Sequence, residues 1–356
     1  MTDLAQNPDR WRTWGEINAQ PAIWRDWLDG LAISRWKAWI GGLEVEEIWF
    51  CGAGSSAYIG DIIAAGAAGA NGAVLRAVPS TDLVSRPAAC LSGRRRVLIV
   101  NFGRSGNSTE TIGTLDALDA LAPDWPRLNI TCNAQGALAT RGPGKALVLP
   151  DACHDRGFAM TSSFTTMLLT ALALFDTGFD AGRDGAGLAA AAAAFLARGL
   201  APAPPPRRAV YVGAGPLAFA ARECALKVME LSGGQVPALW DSTLGFRHGP
   251  KAFAIGDTAI HVLLSADGHA AKYDRDLVAE LRQQLPEARV TAIGPGGDID
   301  IGWPDGACAA ALAVMPAQIQ AVTWADALGL NADDPFKGQG TLTRVVDGVR
   351  LHRVVA

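Results

Sequence analysis

Apolar residues along this chain gather in short runs that alternate with segments of helical spacing. "VEEIWF", from Val45, reads as a strand and "AYIGDIIAAGAAGA" as a helix. "AVLRAVPSTDLV" reads as a strand and loop, "RRRVLIVNF" as a buried strand, and "STETIGTLDALDALA" as a helix. "RLNITCN" and "ALVLP" add two strands, and "AMTSSFTTMLLTALALF" closes the unit as a long helix. Near-continuous apolar strands separated by helices predict a parallel sheet, an α/β fold with helices on both faces. Ahead of this unit, Trp14, Ile17, Trp24, Trp27, Leu28 and Leu31 recur at spacings near three and four, so residues 1–40 read as helical. So dense a tryptophan face predicts a cover over another domain or an interface rather than a cofactor box.

The pattern then restarts. "GAGLAAAAAAFLARGL" favours helix through its alanines, and "APAPPP" stiffens a linker. After it, "AVYVGAGPLAFAARECALKVMEL" echoes "EIWFCGAGSSAYIGDIIAAGA", with Gly213 in the place of Gly52, 161 residues on. "AIHVLLSAD", "ARVTAIGP" and "ACAAALAVM" read as the later strands. Two copies of one unit are therefore expected. The chain divides into a helical segment at 1–40, a first unit at 41–199, a linker at 200–208, a second unit at 209–340 and a tail at 341–356. Only the first copy keeps hydroxyls in its glycine loop, Gly-Ser-Ser against Gly-Pro-Leu.

Composition narrows the function. A formal net charge of -4 over 356 residues, with no basic block, argues against a nucleic-acid partner. "FAMTSSFTTMLLTALALF" is short for a membrane span and carries hydroxyls, so it reads as a buried helix. The polar N-terminus lacks the apolar core of a signal peptide, and the six cysteines form no CxxC pair. A cytoplasmic protein with reduced thiols is expected. No HExxH or histidine–carboxylate cluster at ligand spacing occurs, so no metal is expected.

Two loops of the first unit reach the carboxyl edge of the sheet, where ligands of parallel α/β units sit. They are "GAGSS" (52–56) and "FGRSGNSTE" (102–110), and both run into a helix start. Glycines let the backbone close on a ligand, and free N–H groups with the helix dipole favour an anion. Ser56, Ser105, Ser108 and Thr109 add hydroxyl donors. The plainer alternative is capping, since Asn107 with Glu110 three residues on resembles a capping box. A dinucleotide fits less well, because Ala57 stands at the sixth position of Gly-x-Gly-x-x-Gly and "AVLRAV" ends without an acidic residue. A monophosphate on a small molecule fits better.

Ionisable groups concentrate in "RECALKVMELSGGQVPALWDSTLGFRHGPKAF" (222–253). Glu223, Lys227 and Glu230 share one helix face, which suits acid–base chemistry or merely a surface ion pair. Arg247, His248 and Lys251 cluster in a glycine-rich loop beyond an apolar-to-polar switch at "ALWDSTLG". A histidine there can pass protons near neutral pH, or can be a capped or core residue.

These segments together, "CGAGSSAYIGD", "NFGRSGNSTET", "HDRGFAMTSSFTTM", "VYVGAGPLAFAARECALKVMEL", "DSTLGFRHGPK" and the closing "GTLTRVVDGVRLH", resemble the galactosamine-6-phosphate deaminases. These are also called tagatose-6-phosphate ketose/aldose isomerases and belong to the sugar-isomerase (SIS) domain superfamily. The resemblance includes the N-terminal "WGEINAQPAIW" and runs through nearly the whole chain. It implies two tandem SIS domains, each a five-stranded parallel sheet between helices, no cofactor, and a homodimer or larger homo-oligomer with sites near subunit boundaries. By similarity to the isomerase domain of glucosamine-6-phosphate synthase, it implies phosphate ligands at Ser56, Ser105 and Ser108, with Ser55, Arg104 and Asn107 among the substrate- or phosphate-binding residues. Thr161 and Ser162 are expected to line the same pocket. Glu230 is implied as the base between C1 and C2, His248 as the ring opener reaching a neighbouring subunit, and Lys227 as a partner to substrate oxygens. Gly103 stands where many SIS loops have a serine. The expected substrate is a sugar phosphate: galactosamine 6-phosphate, with glucosamine 6-phosphate or a plain aldose–ketose pair as alternatives. A non-catalytic phosphosugar sensor is the alternative of another class.

Overall fold

The structure, a computed structural model, describes residues 7–69, 72–91, 93, 96–338 and 349–354. Most of the closing motif "GTLTRVVDGVRLH" therefore lies outside the described residues. Two helices come first, α1 (Arg12–Gly30) and α2 (Ile33–Gly41). The first unit runs β1 (Glu47–Cys51), α3 (Ser55–Gly66), β2 (Val74–Ala77), the short helices α4 (Ser80–Ser85) and α5 (Pro87–Leu91), and β3 (Val97–Gly103). It continues with α6 (Thr109–Leu121), β4 (Arg127–Thr131), α7 (Ala137–Thr140), β5 (Lys145–Val148), α8 (Ser162–Phe175) and α9 (Arg183–Arg198). Its five strands are all parallel in the order β2-β1-β3-β4-β5. The central strands β3 and β4 are buried along their whole length, while the edges β2 and β5 are largely not. That is why β3 reads as a near-continuous apolar run, whereas β4 also buries the polar Arg127, Asn129 and Thr131.

The second unit contains β6 (Arg208–Gly213), α10 (Pro216–Leu231), β7 (Ala238–Ser242), β8 (Thr258–Leu263), α11 (Ala270–Gln284), β9 (Arg289–Ile293), α12 (Ala309–Ala313) and α13 (Met315–Ala327). Its sheet is also parallel, in the order β7-β6-β8-β9. This repeats the order β2-β1-β3-β4, and the duplicated loops match closely. Gly54 and Gly215 adopt φ +58° and +55° in equivalent turns. A Cβ on Gly52 would lie 2.5 Å from the backbone carbon of Ser56, and one on Gly213 would lie 2.8 Å from that of Leu217.

Three expectations are corrected here. The second sheet has four strands among the described residues, not five. "ACAAALAVM" is not a strand: residues 309–313 are helix α12 and Met315 starts α13. The run is wholly buried and alanine-rich, so apolarity alone could not separate a buried helix from a strand, and alanine prefers the helix. The apolar-to-polar switch at "ALWDS", to which the sequence pattern assigns no element, is the half-exposed strand β7. "STDLVS", read as loop, forms α4.

One apolar core runs through both units and the N-terminal helix. Helix α1 packs on α8 and α9 of the first unit and on α13 of the second. The tryptophan face does cover other elements: Trp24 Nε1 donates to Thr165 Oγ1 (3.0 Å) and Trp27 Nε1 to Thr170 Oγ1 (2.8 Å). Every residue of α8 is buried. No described helix is long and apolar enough to cross a membrane. Between the units, α3 packs on α10, with Gly66 against Pro216 and an Arg222–Asp61 ion pair at 3.0 Å.

The matched turns are testable. Gly52→Ala and Gly213→Ala each force a Cβ into the helix that follows, so each should destabilise by about 1–3 kcal/mol. Thermal denaturation of the two variants reads this directly, and an unchanged midpoint in either refutes the close approach.

Candidate active site

The start of α3, at the carboxyl edge of the first sheet, meets the far half of α10 through Ser55. On α10, the i, i+4, i+7 spacing brings Glu223, Lys227 and Glu230 onto one face, and that face is not at the surface. Lys227 Nζ lies 2.6 Å from Glu230 Oε2 and 3.2 Å from Glu223 Oε1. It also donates to Ser55 Oγ at 2.9 Å, and Ser55 in turn donates to Glu223 Oε1 at 3.0 Å. The side chains of Glu223 and Lys227 are 0% and 1% exposed, whereas Glu230 keeps 21%. Glu230 is thus the member of the trio open to a ligand, and the plain surface ion pair is excluded.

Electrostatics follow from this burial. Desolvation pushes the Glu223 carboxyl up to about 7 against the pull of Lys227, and the charge of Glu230 adds to the rise. Its Oε2 is buried without a hydrogen-bond partner, as suits a carboxyl near neutrality. Burial alone would favour neutral Lys227, but the two carboxylates outweigh it and its pKa is raised. The ammonium form is therefore held at neutral pH.

The two glycine loops stand at the first sheet's edge. Ser55 and Ser56 open α3 and are both buried. Ser55 faces the second unit, whereas Ser56 Oγ lies 3.7 Å from Met160 Sδ. In the other loop, Ser105 and Asn107 are exposed. Asn107 Oδ1 accepts from the Ala137 N–H at 2.8 Å, and Asn107 N–H donates to Ser105 Oγ at 3.3 Å. Ser108 is the residue that caps α6, accepting from Thr111 N–H at 3.2 Å. The Asn107–Glu110 capping box is thus displaced by one residue. Arg104 turns away from its own loop and donates to the carbonyls of Gly157 (3.0 Å) and Ala159 (3.3 Å). A Cβ at Gly103 would meet Leu138 Cδ1 at 2.8 Å, so the residue that replaces the expected serine leaves room for a buried leucine.

Two expected pocket residues are placed differently. Thr161 and Ser162 are fully buried, and their hydroxyls donate to Asp155 Oδ1 at 2.9 and 2.6 Å. The backbone N–H groups of Thr161, Ser162 and Ser163 go to the same carboxylate. Asp155 thus caps α8 from outside the helix, and these hydroxyls hold that cap rather than lining an open pocket. His248 is exposed in its loop, while Arg247 and Lys251 are drawn off to Glu280 at 2.7 and 2.6 Å. Among the described residues, no hydrogen bond joins His248 to the Glu230–Lys227 pair.

Sequence reasoning did not single out Asp155, Met160, or Asp267 of the second unit. In that unit, a cavity of about 280 Å³ lies at the position matching the first unit's loops, lined by Gly215, Leu217, Ser265 and Asp267 among others. Asp267 caps α11, accepting from Ala270 N–H (3.0 Å) and His269 N–H (3.2 Å). Those backbone bonds hold its carboxyl below the usual range. The helix start that could attract an anion there is already occupied by the chain's own carboxylate.

Glu223 gives a pH test. Its folded pKa, about 7, lies above the unfolded value, so its contribution is full below about pH 4.5 and is lost as pH rises through 7. Compared with Glu223→Gln, wild-type protein should lose on the order of 1–3 kcal/mol of relative stability between pH 5 and 8. Parallel thermal midpoints across that range would show that Glu223 does not titrate there.

No family model matches the chain. Its relatives are specific, however. The D-galactosamine-6-phosphate deaminase AgaS of Escherichia coli is 38% identical, covering 96% of this chain and 96% of its own. The protein of the same name from Shewanella sp. (strain ANA-3) is 35% identical over 96% of this chain and 91% of its own. Among solved structures, a tagatose-6-phosphate ketose/aldose isomerase from Escherichia coli superposes with a TM-score of 0.85 at 35% identity, covering 96% of each chain. Likeness of this extent, end to end across both glycine turns and the helix that carries Glu230, means that the chain belongs to the D-galactosamine-6-phosphate deaminase family.

Proposed function

We propose that this enzyme converts galactosamine 6-phosphate to tagatose 6-phosphate and ammonia. The observation that carries the reading is the pairing of half-open Glu230 with a buried ammonium, joined through Ser55 to the first glycine loop. The 6-phosphate is held at Ser56, Ser105 and Ser108, and this remote binding orients C1 and C2 of the opened sugar. Glu230 as carboxylate takes the proton from C2, and the C–H electron pair shifts toward C1 to give an enolamine. Return of a proton at C1 leaves the imine at C2. Water adds to that carbon, ammonia departs, and the ketose remains.

Lys227, 2.6 Å from Glu230 Oε2, supplies positive charge beside the developing oxyanion. His248 serves ring opening, and its exposed loop suits a site completed by a neighbouring subunit of a homo-oligomer. A plain tagatose-6-phosphate ketose/aldose isomerisation would use the same proton transfer without loss of nitrogen. The name of the superposed Escherichia coli structure keeps that second reading in view.

Glu230→Gln should lower kcat by roughly 10²–10⁴-fold while leaving the affinity for sugar phosphate nearly intact. Near wild-type turnover in that variant removes Glu230 from the role. Ammonia release from galactosamine 6-phosphate and glucosamine 6-phosphate, measured side by side, tests the reaction itself. Release from the galacto sugar alone is expected. Release from the gluco sugar changes the substrate, and release from neither leaves isomerisation or sugar-phosphate sensing.

A further inference from the structure

The N-terminal motif "WGEINAQPAIW" covers other elements, yet one of its residues faces the segment that joins the two glycine loops. Glu16, on the second turn of α1, points its carboxylate at the segment between β5 and α8. Its Oε1 accepts the backbone N–H groups of both Arg156 and Gly157, the latter at 3.1 Å. The carbonyls of Gly157 and Ala159 in turn receive the guanidinium of Arg104, from the second phosphate loop. The next residue, Met160, lies over Ser56 Oγ of the first loop. One five-residue stretch, 156–160, therefore touches both loops, and Glu16 holds its near end while Asp155 pins the residues that follow. The fit against α1 is tight, since a Cβ on Gly157 would come within 2.3 Å of Thr13 Oγ1.

Helix α1 is itself fixed from afar. Asp333 accepts the N–H groups of Arg12 (2.9 Å) and Thr13 (3.0 Å) and the Thr13 hydroxyl (2.8 Å), capping a helix whose own N-cap residue, Trp11, offers no side-chain bond. A helix with a satisfied start, anchored to α8 through Trp24 and Trp27, is a rigid mount for Glu16.

We propose that Glu16 is a positioning residue for sugar-phosphate binding, setting the 156–160 segment that anchors Arg104 of one phosphate loop and packs on Ser56 of the other, so that both loops keep their geometry. The inference rests on the proposed phosphate role of those loops. It assigns Glu16 no contact with the substrate and no part in proton transfer. What it supplies is an acceptor oxygen, so the amide oxygen of glutamine should replace it, whereas alanine leaves two backbone N–H groups unpaired.

The test compares Glu16→Ala, Glu16→Gln and a control, Trp27→Phe, which removes a hydrogen bond from the same helix well along from Glu16. Steady-state ammonia release gives KM and kcat, binding of inorganic phosphate gives a Kd, and thermal midpoints report integrity. Glu16→Ala should raise KM and the phosphate Kd about tenfold, as the loss of one or two such bonds implies, with kcat within about twofold. Glu16→Gln should restore both constants, and Trp27→Phe should lower the midpoint without moving KM. An unchanged KM in Glu16→Ala overturns the inference. So does an equal rise in Trp27→Phe, which would mean general loosening of α1, and so does failure of glutamine to rescue. A wild-type protein that neither turns over the sugar nor holds phosphate overturns instead the functional reading beneath it.

Discussion

The site depends on one buried cation. An ammonium removed from water costs several kcal/mol and persists only where oxygens surround it. Lys227 finds two carboxylates on its own helix, at i-4 and i+3, and a third oxygen on Ser55 of the other unit. The first two follow from helical spacing alone. The third exists only when α3 is docked on α10, so the electrostatics of the acid–base face and the seam between the units are one constraint. The Arg222–Asp61 pair and the contact of Gly66 with Pro216 reinforce the same seam. The trio carries one positive charge against two carboxyls, and the excess is relieved at the more buried of them, Glu223, whose proton affinity rises. Glu230, nearer solvent, is left as the carboxylate available for chemistry.

Duplication supplied two equivalent turns, and small substitutions gave them different work. Both units share strand order and both need glycine where the loop closes on the following helix. After that turn the first unit places Ser55 and Ser56, and the second places Pro216 and Leu217. At the neighbouring helix the first unit caps with the neutral hydroxyl of Ser108, and the second with the carboxylate of Asp267. The helix start of the first unit thus carries a neutral hydroxyl and that of the second a fixed negative charge. The second unit gives its helix face to the seam instead. The Lys227 cluster therefore draws its oxygens from both units.

Much of this was legible in the sequence because buried parallel strands leave apolar runs punctuated by glycine turns. The strands of the first sheet, the duplication and the shared face of Glu223, Lys227 and Glu230 all rest on such local periodicity. What failed was set by partners far along the chain. "ACAAALAVM" is helical because small side chains pack at the seam, a context its own pattern does not carry. "ALWDS" pairs as an edge strand although its polar residues break the alternation. Thr161 and Ser162 look like free hydroxyls until Asp155 is seen to take them. Arg104 has its acceptors 53 and 55 residues away, and nothing near it in the sequence gives its direction. The burial of Glu223 and Lys227 was equally out of reach, since it depends on α3.

The same logic changes how the tryptophan helix is understood. Its face reads as cover, with Trp24 buried and Trp24 and Trp27 bonded to α8, but burial describes where a helix sits and not what it transmits. The first N–H groups of α1 are satisfied by Asp333, more than 300 residues away, and Asp326 takes the Trp11 indole N–H at 2.9 Å. A helix start left unpaired is costly, so α1 reaches its full stability only after the end of the second unit has folded against it. Glu16 then carries that placement to residues 156 and 157, and through them to Arg104. The loops proposed to hold the phosphate are therefore braced by contacts from both ends of the chain.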